Sequence, residues 1–176
     1  SEMCIRDSFY ALDLGGTNFR VLRLSLLGDG QVGPVTQQKF HVPLEVKQGS
    51  GAGLFGFLAD AVATFLATQC GGNPSGALGF TFSFPTAQDA LASGKLITWN
   101  KEFCASGVVG EDVVALLQEQ FAARGIALEV KALANDTVGT MEAAAYKYPK
   151  TAMGVILGTG TNAAYVEKTS KVLKWG

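Results

Sequence analysis

Cysteine and histidine are both scarce in this chain of 176 residues. The three cysteines, Cys4, Cys70 and Cys104, are odd in number and far apart in sequence. We therefore expect neither a disulfide framework nor a zinc site, and we expect the reduced thiols of a cytoplasmic protein. His41 is the only histidine, and it lies in an alternating, strand-like run. Histidine-based hydrolysis is accordingly disfavoured, and a surface or half-buried position is expected for His41.

Charge is also low. Charged residues make up 16% of the chain, the formal net charge is −1, and hydrophobic residues make up 48%. This composition is typical of a domain that buries a core, and nothing in the charge indicates nucleic acid or an acidic membrane as a partner. A negatively charged ligand would have to be held by local amides, side chains or a metal ion.

Long apolar runs are absent as well. We find no stretch approaching the ~20 residues that cross a bilayer, so no membrane segment is expected. Residues 1–8 lack the apolar centre of a signal peptide, and we predict that they form a leader outside the fold.

Alternating and helical patterns follow one another along the chain and predict an α/β fold. Three strands are predicted over residues 9–27 and 35–43, and Gly49–Gly53 is predicted to be a flexible loop. Helices are predicted from Leu54 to the Gly-Gly-Asn-Pro stop at 71–74, from Val113 to Arg124 and over 137–148. Further strands are predicted over 77–84, 94–99, 126–133, 153–157 and 163–167.

The segment Asp13-Leu14-Gly15-Gly16-Thr17-Asn18 joins two predicted strands. Glycines let a phosphate approach the backbone, the hydroxyl and amide groups can donate to it, and Asp13 can face a hydrated Mg²⁺. An ordinary β-hairpin with a Gly-Gly turn explains this segment equally well.

Three further clusters place polar groups at strand ends. Ser83 lies in an aromatic strand end, Asn100 and Lys101 lie between aromatics, and Asn135-Asp136 lies at a strand-to-helix junction. Each has a structural alternative: a backbone hydrogen bond for Ser83, a solvated loop for Lys101 and an N-cap for Asn135. A carboxylate at the position of Asp136 also suits a general base.

A second Gly-rich turn, Gly158 to Asn162, repeats the strand–turn–strand pattern and completes an ordered set. That set resembles the hexokinase family of sugar kinases. The matching stretches cover nearly all of residues 9–176 and are Leu12–Val21, Leu78–Pro85, Asn135–Met141 and Gly158–Tyr165. Four motifs in family order are far more specific than one Gly-rich turn.

The resemblance implies an actin-like ATPase (ribonuclease H-like) sugar-kinase fold, with the small lobe at residues 9–134 and the start of the large lobe at 135–176. It implies ATP-dependent phosphorylation of a hexose, with glucose the first candidate, at the 6-hydroxyl, the first step of glycolysis. ATP and Mg²⁺ would be the cofactors. The sequence carries no expectation about the oligomeric state.

The resemblance also implies roles for individual residues. Asp136 would be the catalytic base. The hexose hydroxyls would be held by Asp136 and by Ser83, Asn100, Lys101, Asn135 and Asn162. The ATP phosphates would face Asp13, Gly15, Gly16, Thr17, Asn18, Arg20, Gly158, Thr159 and Gly160. Mg²⁺ would be held by Asp13 through water.

Two departures from the family pattern bear on function. The family usually has Thr before Lys101 and Gly after it, where this chain has Asn100 and Glu102. The family's further sugar-binding glutamates, adenosine-binding segment and upstream helix are not in this sequence. We therefore expect a fragment that is inactive alone. The alternatives are a hexose-binding sensor without catalysis and, less well supported, an actin-like ATPase without sugar specificity.

Overall fold

A mixed sheet of six strands organises the chain, described by a computed structural model over residues 8–158 and 161–172. The strands are β1 (Ser8–Leu14), β2 (Asn18–Gly28), β3 (Gln31–Val32), β4 (Thr36–His41), β5 (Gly76–Phe82), β6 (Thr86–Ala90), β7 (Ser93–Leu96), β8 (Leu128–Ala134), β9 (Met153–Leu157) and β10 (Thr161–Tyr165). The helices are α1 (Leu44–Lys47), α2 (Gly51–Gln69), α3 (Val113–Ala123) and α4 (Asp136–Lys147), followed by a short 3₁₀ turn at Thr169–Lys171.

The sheet has the strand order β3-β2-β1-β5-β8, and β4 also pairs with β2. β1 and β2 form an antiparallel hairpin, whereas β1, β5 and β8 run parallel to one another. Asp13 on β1 lies opposite Thr81 on β5, which in turn lies opposite Ala134 on β8. The carboxyl ends of β1, β5 and β8 therefore meet at one edge of the sheet, where open α/β sheets bind their ligands.

The core lies between this sheet and helices α2 and α3, which pack against each other. α2 also contacts β2 and β4, and α3 also contacts β7 and β8. Large aromatic side chains supply much of the buried area, and the fully buried ones are Phe19, Phe55, Phe65, Phe80, Phe82 and Phe121. Burying side chains of this size contributes about 1.5–3 kcal/mol each to folding.

Helix α2 is long and apolar enough to cross a membrane by length and composition, with a mean hydropathy of 1.5 over an 18-residue window. The expectation drawn from apolar runs overlooked this helix. In the fold, 56% of that window is buried inside the molecule, and side chains such as Leu58, Val62 and Phe65 pack in the core. A core helix meets the same criteria as a membrane span, and α2 has the packing of a core helix.

The predicted flexible loop at Gly49–Gly53 is wrong in its second half, because α2 begins at Gly51. The Ser50 side chain caps this helix by accepting a hydrogen bond from the Gly53 amide at 3.1 Å. Gly51 serves close packing, since a Cβ there would come within 2.5 Å of Val108. The glycine-rich sequence suggested a flexible loop, whereas in the fold Gly51 is needed because a larger residue would not fit.

Other predicted elements agree in type and differ in their bounds. The helices over 113–124 and 137–148 are present as α3 and α4, and the strand predicted over 163–167 begins earlier, at Thr161. The predicted strand over 94–99 is instead the second half of the hairpin β6–β7. Sequence patterns missed three short elements, β3, α1 and β6, since two to five residues carry little periodicity.

From Asn135 onward the chain forms a separate layer. Helix α4 packs against β5 and against the antiparallel pair β9–β10. Gly154 on β9 allows this approach, because a Cβ there would come within 2.9 Å of Met141 on α4. The strand ends of the main sheet and the β9–β10 hairpin thus face each other across the amino end of α4.

Candidate active site

Three loops at the carboxyl edge of the parallel strands build the candidate site. The first segment, residues 13–17, comprises the end of β1 and the turn after it. Ser83 comes directly after β5, and Asn135-Asp136 comes directly after β8. Parallel pairing brings these loops together although more than 120 positions separate the first from the last. The polar groups singled out from the sequence thus come from strands that are adjacent in space.

These loops line one open cleft of about 1430 Å³. The sequence-predicted site residues among its lining are Asp13, Gly15, Gly16, Thr17, Arg20, Ser83, Asn100, Lys101, Asn135, Asp136, Gly158 and Asn162. Asn18 is not in the lining. Thr159 and Gly160 lie outside the described residues. The cleft therefore gathers residues from every motif that the sequence singled out.

The Gly-Gly turn keeps two of its amides available. The Gly15 amide donates to the Asn18 carbonyl at 3.0 Å and closes the turn. Among the described residues, the amides of Gly16 and Thr17 have no hydrogen-bond acceptor, and both residues line the cleft. Two adjacent free amides in a turn are a suitable donor pair for an anion. Asn18 serves the turn through its backbone and begins β2.

Asp13 and Arg20 form an ion pair across the β1–β2 hairpin, with Arg20 Nη1 donating to Asp13 Oδ2 at 2.9 Å. Burial raises the pKa of the Asp13 carboxyl above its ordinary value, the Arg20 guanidinium opposes that rise, and the negative charge of Asp136 adds to it. Asp13 and Asp136 both line the cleft and add negative charge to the same space. The arrangement favours a cation between or beside them.

Ser83 and Lys101 meet on the other wall of the cleft. Ser83 is 5% exposed, and its carbonyl oxygen accepts a hydrogen bond from Lys101 Nζ at 3.0 Å. The same ammonium lies 5.6 Å from the centroid of the Phe84 ring. The stem of Lys101 runs along the Gly-Gly turn, since a Cβ on Gly16 would come within 3.3 Å of it. Lys101 thus links the strand end of β5 to the turn after β1.

Asn135 caps α4 and contacts the second Gly-rich turn at the same time. Its side-chain Oδ1 accepts from the Thr137 amide at 3.0 Å and from Asn162 Nδ2 at 3.1 Å. Asn162 is held in turn, because its own Oδ1 accepts from the Ala163 amide at 2.9 Å. The sequence left two alternatives for Asn135, a helix N-cap or a residue of the site. The two are compatible, because the side chain caps the helix and also lines the cleft.

Asp136 is the first residue of α4, where its carboxylate benefits from the helix dipole. The Thr137 hydroxyl lies 3.3 Å from Asp136 Oδ1 and is 1% exposed. Because that buried hydroxyl donates to one carboxylate oxygen, the orientation of the carboxyl group is fixed and its other oxygen remains for a ligand. A fixed carboxylate in a cleft can accept a proton from a bound hydroxyl group.

Sequence reasoning missed several residues of the cleft. Gly139, Thr140 and Ala143 follow Asp136 at helical spacing, so the α4 periodicity could have found them. Glu102, which the sequence singled out as a departure from the family pattern, also lines the cleft, and its ion pair with Lys47 (3.5 Å between Nζ and Oε2) was not predicted. No local pattern marks Lys47, because its burial depends on residues 55 positions away.

Comparisons with known proteins show the family of this chain. Two family models described as hexokinase match residues 5–146 and 152–176. The chain belongs to the hexokinase family. Hexokinase-1 of Spinacia oleracea is 49% identical over an alignment of 175 positions that covers 95% of this chain and 35% of that protein. The chain therefore spans about a third of the length of the curated relatives it matches.

Solved structures show the fold of this chain. A Schistosoma mansoni hexokinase complexed with glucose superposes with a TM-score of 0.89 at 44% identity, covering 95% of this chain and 37% of that one. A polyphosphate/ATP-glucomannokinase from Arthrobacter matches with a TM-score of 0.65 at 17% identity, covering 91% of this chain and 58% of that one, and shows the fold alone. The predicted actin-like sugar-kinase fold is confirmed.

Proposed function

We propose that the protein carrying this chain transfers the γ-phosphoryl group of ATP to the 6-hydroxyl of a hexose, and that the hexose is glucose. The observation that carries the proposal is the convergence of Asp136, Ser83, Lys101 and Asn162 on one cleft. Family membership and the glucose bound to the Schistosoma mansoni relative support the same reaction.

Asp136 is the proposed base. In the reaction the hexose 6-oxygen forms a bond to the γ-phosphorus while the bond from that phosphorus to the bridging oxygen of ATP breaks, and ADP leaves. The hydroxyl proton passes to the Asp136 carboxylate. Phosphoryl transfer depends more on positioning and charge stabilisation than on a strong base, so a carboxylate suffices.

The proposed hexose-binding groups are fixed before any ligand arrives. Ser83 is buried, Lys101 is bound to the Ser83 carbonyl, and Asn135 and Asn162 hold each other's side chains. Asn100, next to Lys101 in the sequence, also lines the cleft. Sugar hydroxyls left without partners cost affinity, so a ring of fixed donors and acceptors favours a polyhydroxyl ligand.

The phosphate side is proposed to comprise Asp13, Gly15, Gly16, Thr17, Arg20 and Gly158, with Thr159 and Gly160 assigned to it from the sequence alone. The free amides of Gly16 and Thr17 support this assignment. Asn18 is proposed to act only through its backbone, which closes the turn. The boundary between two lobes near Asn135 is a proposal as well.

Mg²⁺ fits the acidic side of the cleft. Mg²⁺ keeps most of its water and takes one or two carboxylates, and Asp13 has one carboxylate oxygen that Arg20 does not engage. Among residues 8–158 and 161–172, no three His, Cys, Asp or Glu side chains cluster as a complete metal site. Asp13 would therefore hold the ion through water. When bound, Mg²⁺ would neutralise charge on the phosphate oxygens.

The decisive experiment is glucose-dependent ADP release by the protein at its natural length, with Asp136→Ala beside it. We expect kcat to fall by ~10²–10⁴-fold, a much larger change than that in the glucose dissociation constant. Asp29→Asn is the matched control, because Asp29 is exposed and asparagine tolerates its φ of 49°. If the parent protein binds glucose but releases no ADP, the alternative of a hexose-binding sensor without catalysis is favoured instead.

A further inference from the structure

The loop that carries Lys101 has a backbone conformation that is unfavourable for residues other than glycine. Lys101 and Glu102 have φ angles of 54° and 69°, and the Phe103 amide donates to the Asn100 carbonyl at 3.1 Å. These features define a type I′ turn, whose central positions favour Asn and Gly. Side chains with a Cβ adopt the left-handed region only when the surrounding structure holds them there.

The conformation of this turn decides where the Lys101 ammonium lies. From the left-handed position the side chain passes Gly16 and reaches the Ser83 carbonyl at 3.0 Å. On the far side of the turn, Phe103 is 4% exposed and packs on the ring of Trp99 at a centroid distance of 5.4 Å. The turn is therefore fixed after Glu102, and any relaxation of the two left-handed residues would move Lys101.

A buried lysine contacts the other half of the turn. Lys47 ends α1 with its side chain 5% exposed, and its ammonium lies 5.5 Å from the centroid of the Phe103 ring. Within the described part of the chain, Glu102 is the one carboxylate within 4.0 Å of that ammonium. The Lys47 ammonium is buried whereas the Glu102 side chain is 73% exposed, so the carboxylate reaches in from the surface to offset a charge that would be costly to leave unpaired in the interior.

We propose that the Lys47–Glu102 ion pair positions Lys101. The ion pair holds Glu102 in the left-handed conformation, which keeps the type I′ turn closed and directs the Lys101 ammonium to the Ser83 carbonyl in the cleft. Glu102 is thus a positioning residue, acting on the hexose through Lys101. The inference rests on the proposed function, since hexose affinity is the property that a misplaced Lys101 would change.

Two substitutions at one position separate positioning from direct contact. Glu102→Gln removes the charge and keeps the strained Cβ, so the turn opens, and we expect the hexose KM to rise about threefold to tenfold with kcat within about twofold of the parent. Glu102→Gly also removes the charge but adopts positive φ freely. We expect its KM to stay within about twofold of the parent.

Substitutions of Lys47, which pairs with Glu102, test the same inference from the other side of the ion pair. Lys47→Met should raise KM as Glu102→Gln does, and it should add nothing in the Glu102→Gly background, where the turn needs no support. Lys47→Arg keeps the charge and should restore part of the affinity. Glu129→Gln is the matched control, because Glu129 pairs with Lys131 on the exposed surface and should leave KM unchanged.

A direct structural readout keeps the inference independent of turnover. In crystal structures of the variant proteins, the Lys101–Ser83 contact should be lost in Glu102→Gln and kept in Glu102→Gly. The inference is overturned if both variants keep that contact, or if both raise KM equally, since the carboxylate would then contact the hexose itself. A parent that binds no hexose refutes the proposed function and leaves the structural readout to decide the positioning role.

Discussion

The sheet body (residues 8–134) and the helix–hairpin segment (residues 135–158 and 161–172) are built very differently. In the body, apolar residues of five strands and two long helices are buried against one another. In the helix–hairpin segment, Met141 is the one large apolar side chain among the described residues that is buried. Met153, Val155, Leu157, Tyr165 and Val166 are instead exposed. The body has its own core, whereas the segment depends on what it packs against.

The two parts also contribute different residues to the candidate site. The body supplies Asp13 and Ser83 at strand ends and Lys101 from the turn that follows β7, while the segment adds Asp136 and Asn162 through the cap of α4 and a two-stranded hairpin. The cleft lies between the two parts. A ligand that contacts both parts would stabilise their relative position.

The largest expected difference between the two parts concerns their apolar side chains. Phe65→Ala in the body should lower the free energy of unfolding of this chain by about 3–5 kcal/mol, since Phe65 is 0% exposed. Leu157→Ala in the segment should cost less than about 0.5 kcal/mol, since Leu157 is 81% exposed. Urea unfolding measures both. Equal losses would show that the segment has a core of its own and would refute the comparison.

An intermediate effect is expected from the helix caps. Asp112 caps α3 by accepting from the Val114 amide at 2.8 Å, and its side chain also accepts from the Ser93 hydroxyl at 2.6 Å. Asp112→Ala should cost about 1–2 kcal/mol at neutral pH. Unlike the Asn135 cap of α4, the Asp112 cap is not in the lining of the cleft, so kcat should not change.

The Asp112 cap should also depend on pH. Burial raises the pKa of the carboxyl, but the hydrogen bonds from Ser93, Val114, Gly94 and Ala115 outweigh it and lower the pKa below its ordinary value. The folded state therefore releases this proton more readily than the unfolded chain, and the stabilisation is complete above the unfolded pKa of about 3.9. It is lost as pH falls through the lowered value. Unfolding at pH 7 and near pH 3 should show the difference between parent and Asp112→Asn shrink in acid, and a constant difference would contradict this assignment.

The smallest effect is expected at the link between the two parts. The Tyr146 hydroxyl on α4 accepts from the Gly28 amide at 3.2 Å and donates to the Gln31 carbonyl at 3.1 Å. Tyr146→Phe should cost about 0.5–1.5 kcal/mol and speed the hydrogen exchange of the Gly28 amide. Tyr148→Phe is the matched control, since Tyr148 is 60% exposed. Unchanged exchange at Gly28 would mean that this link does not restrain α4.

Much of the candidate site could be predicted because its residues follow strands. Asp13, Ser83 and Asn135 each stand where an apolar alternation stops, and such positions meet when the strands are parallel. Gly51 and Lys47 could not be predicted. Gly51 has the sequence context of a flexible loop, yet it packs tightly against Val108. Lys47 has the sequence context of an ordinary surface lysine, yet it is buried beside Glu102. Both outcomes depend on neighbours far away in sequence.

The sequence by itself determined the periodicities, the turns, the apolar strands that form the core and the polar groups at their ends, because these depend on residues a few positions apart. Only the tertiary structure decided which strand ends meet, that Asp13 and Asp136 face one cleft, and that Lys101 and Glu102 take left-handed conformations. Those features arise from parallel pairing and from the packing of Phe103 and Lys47. Contacts between residues remote in sequence leave no local pattern from which they could be inferred.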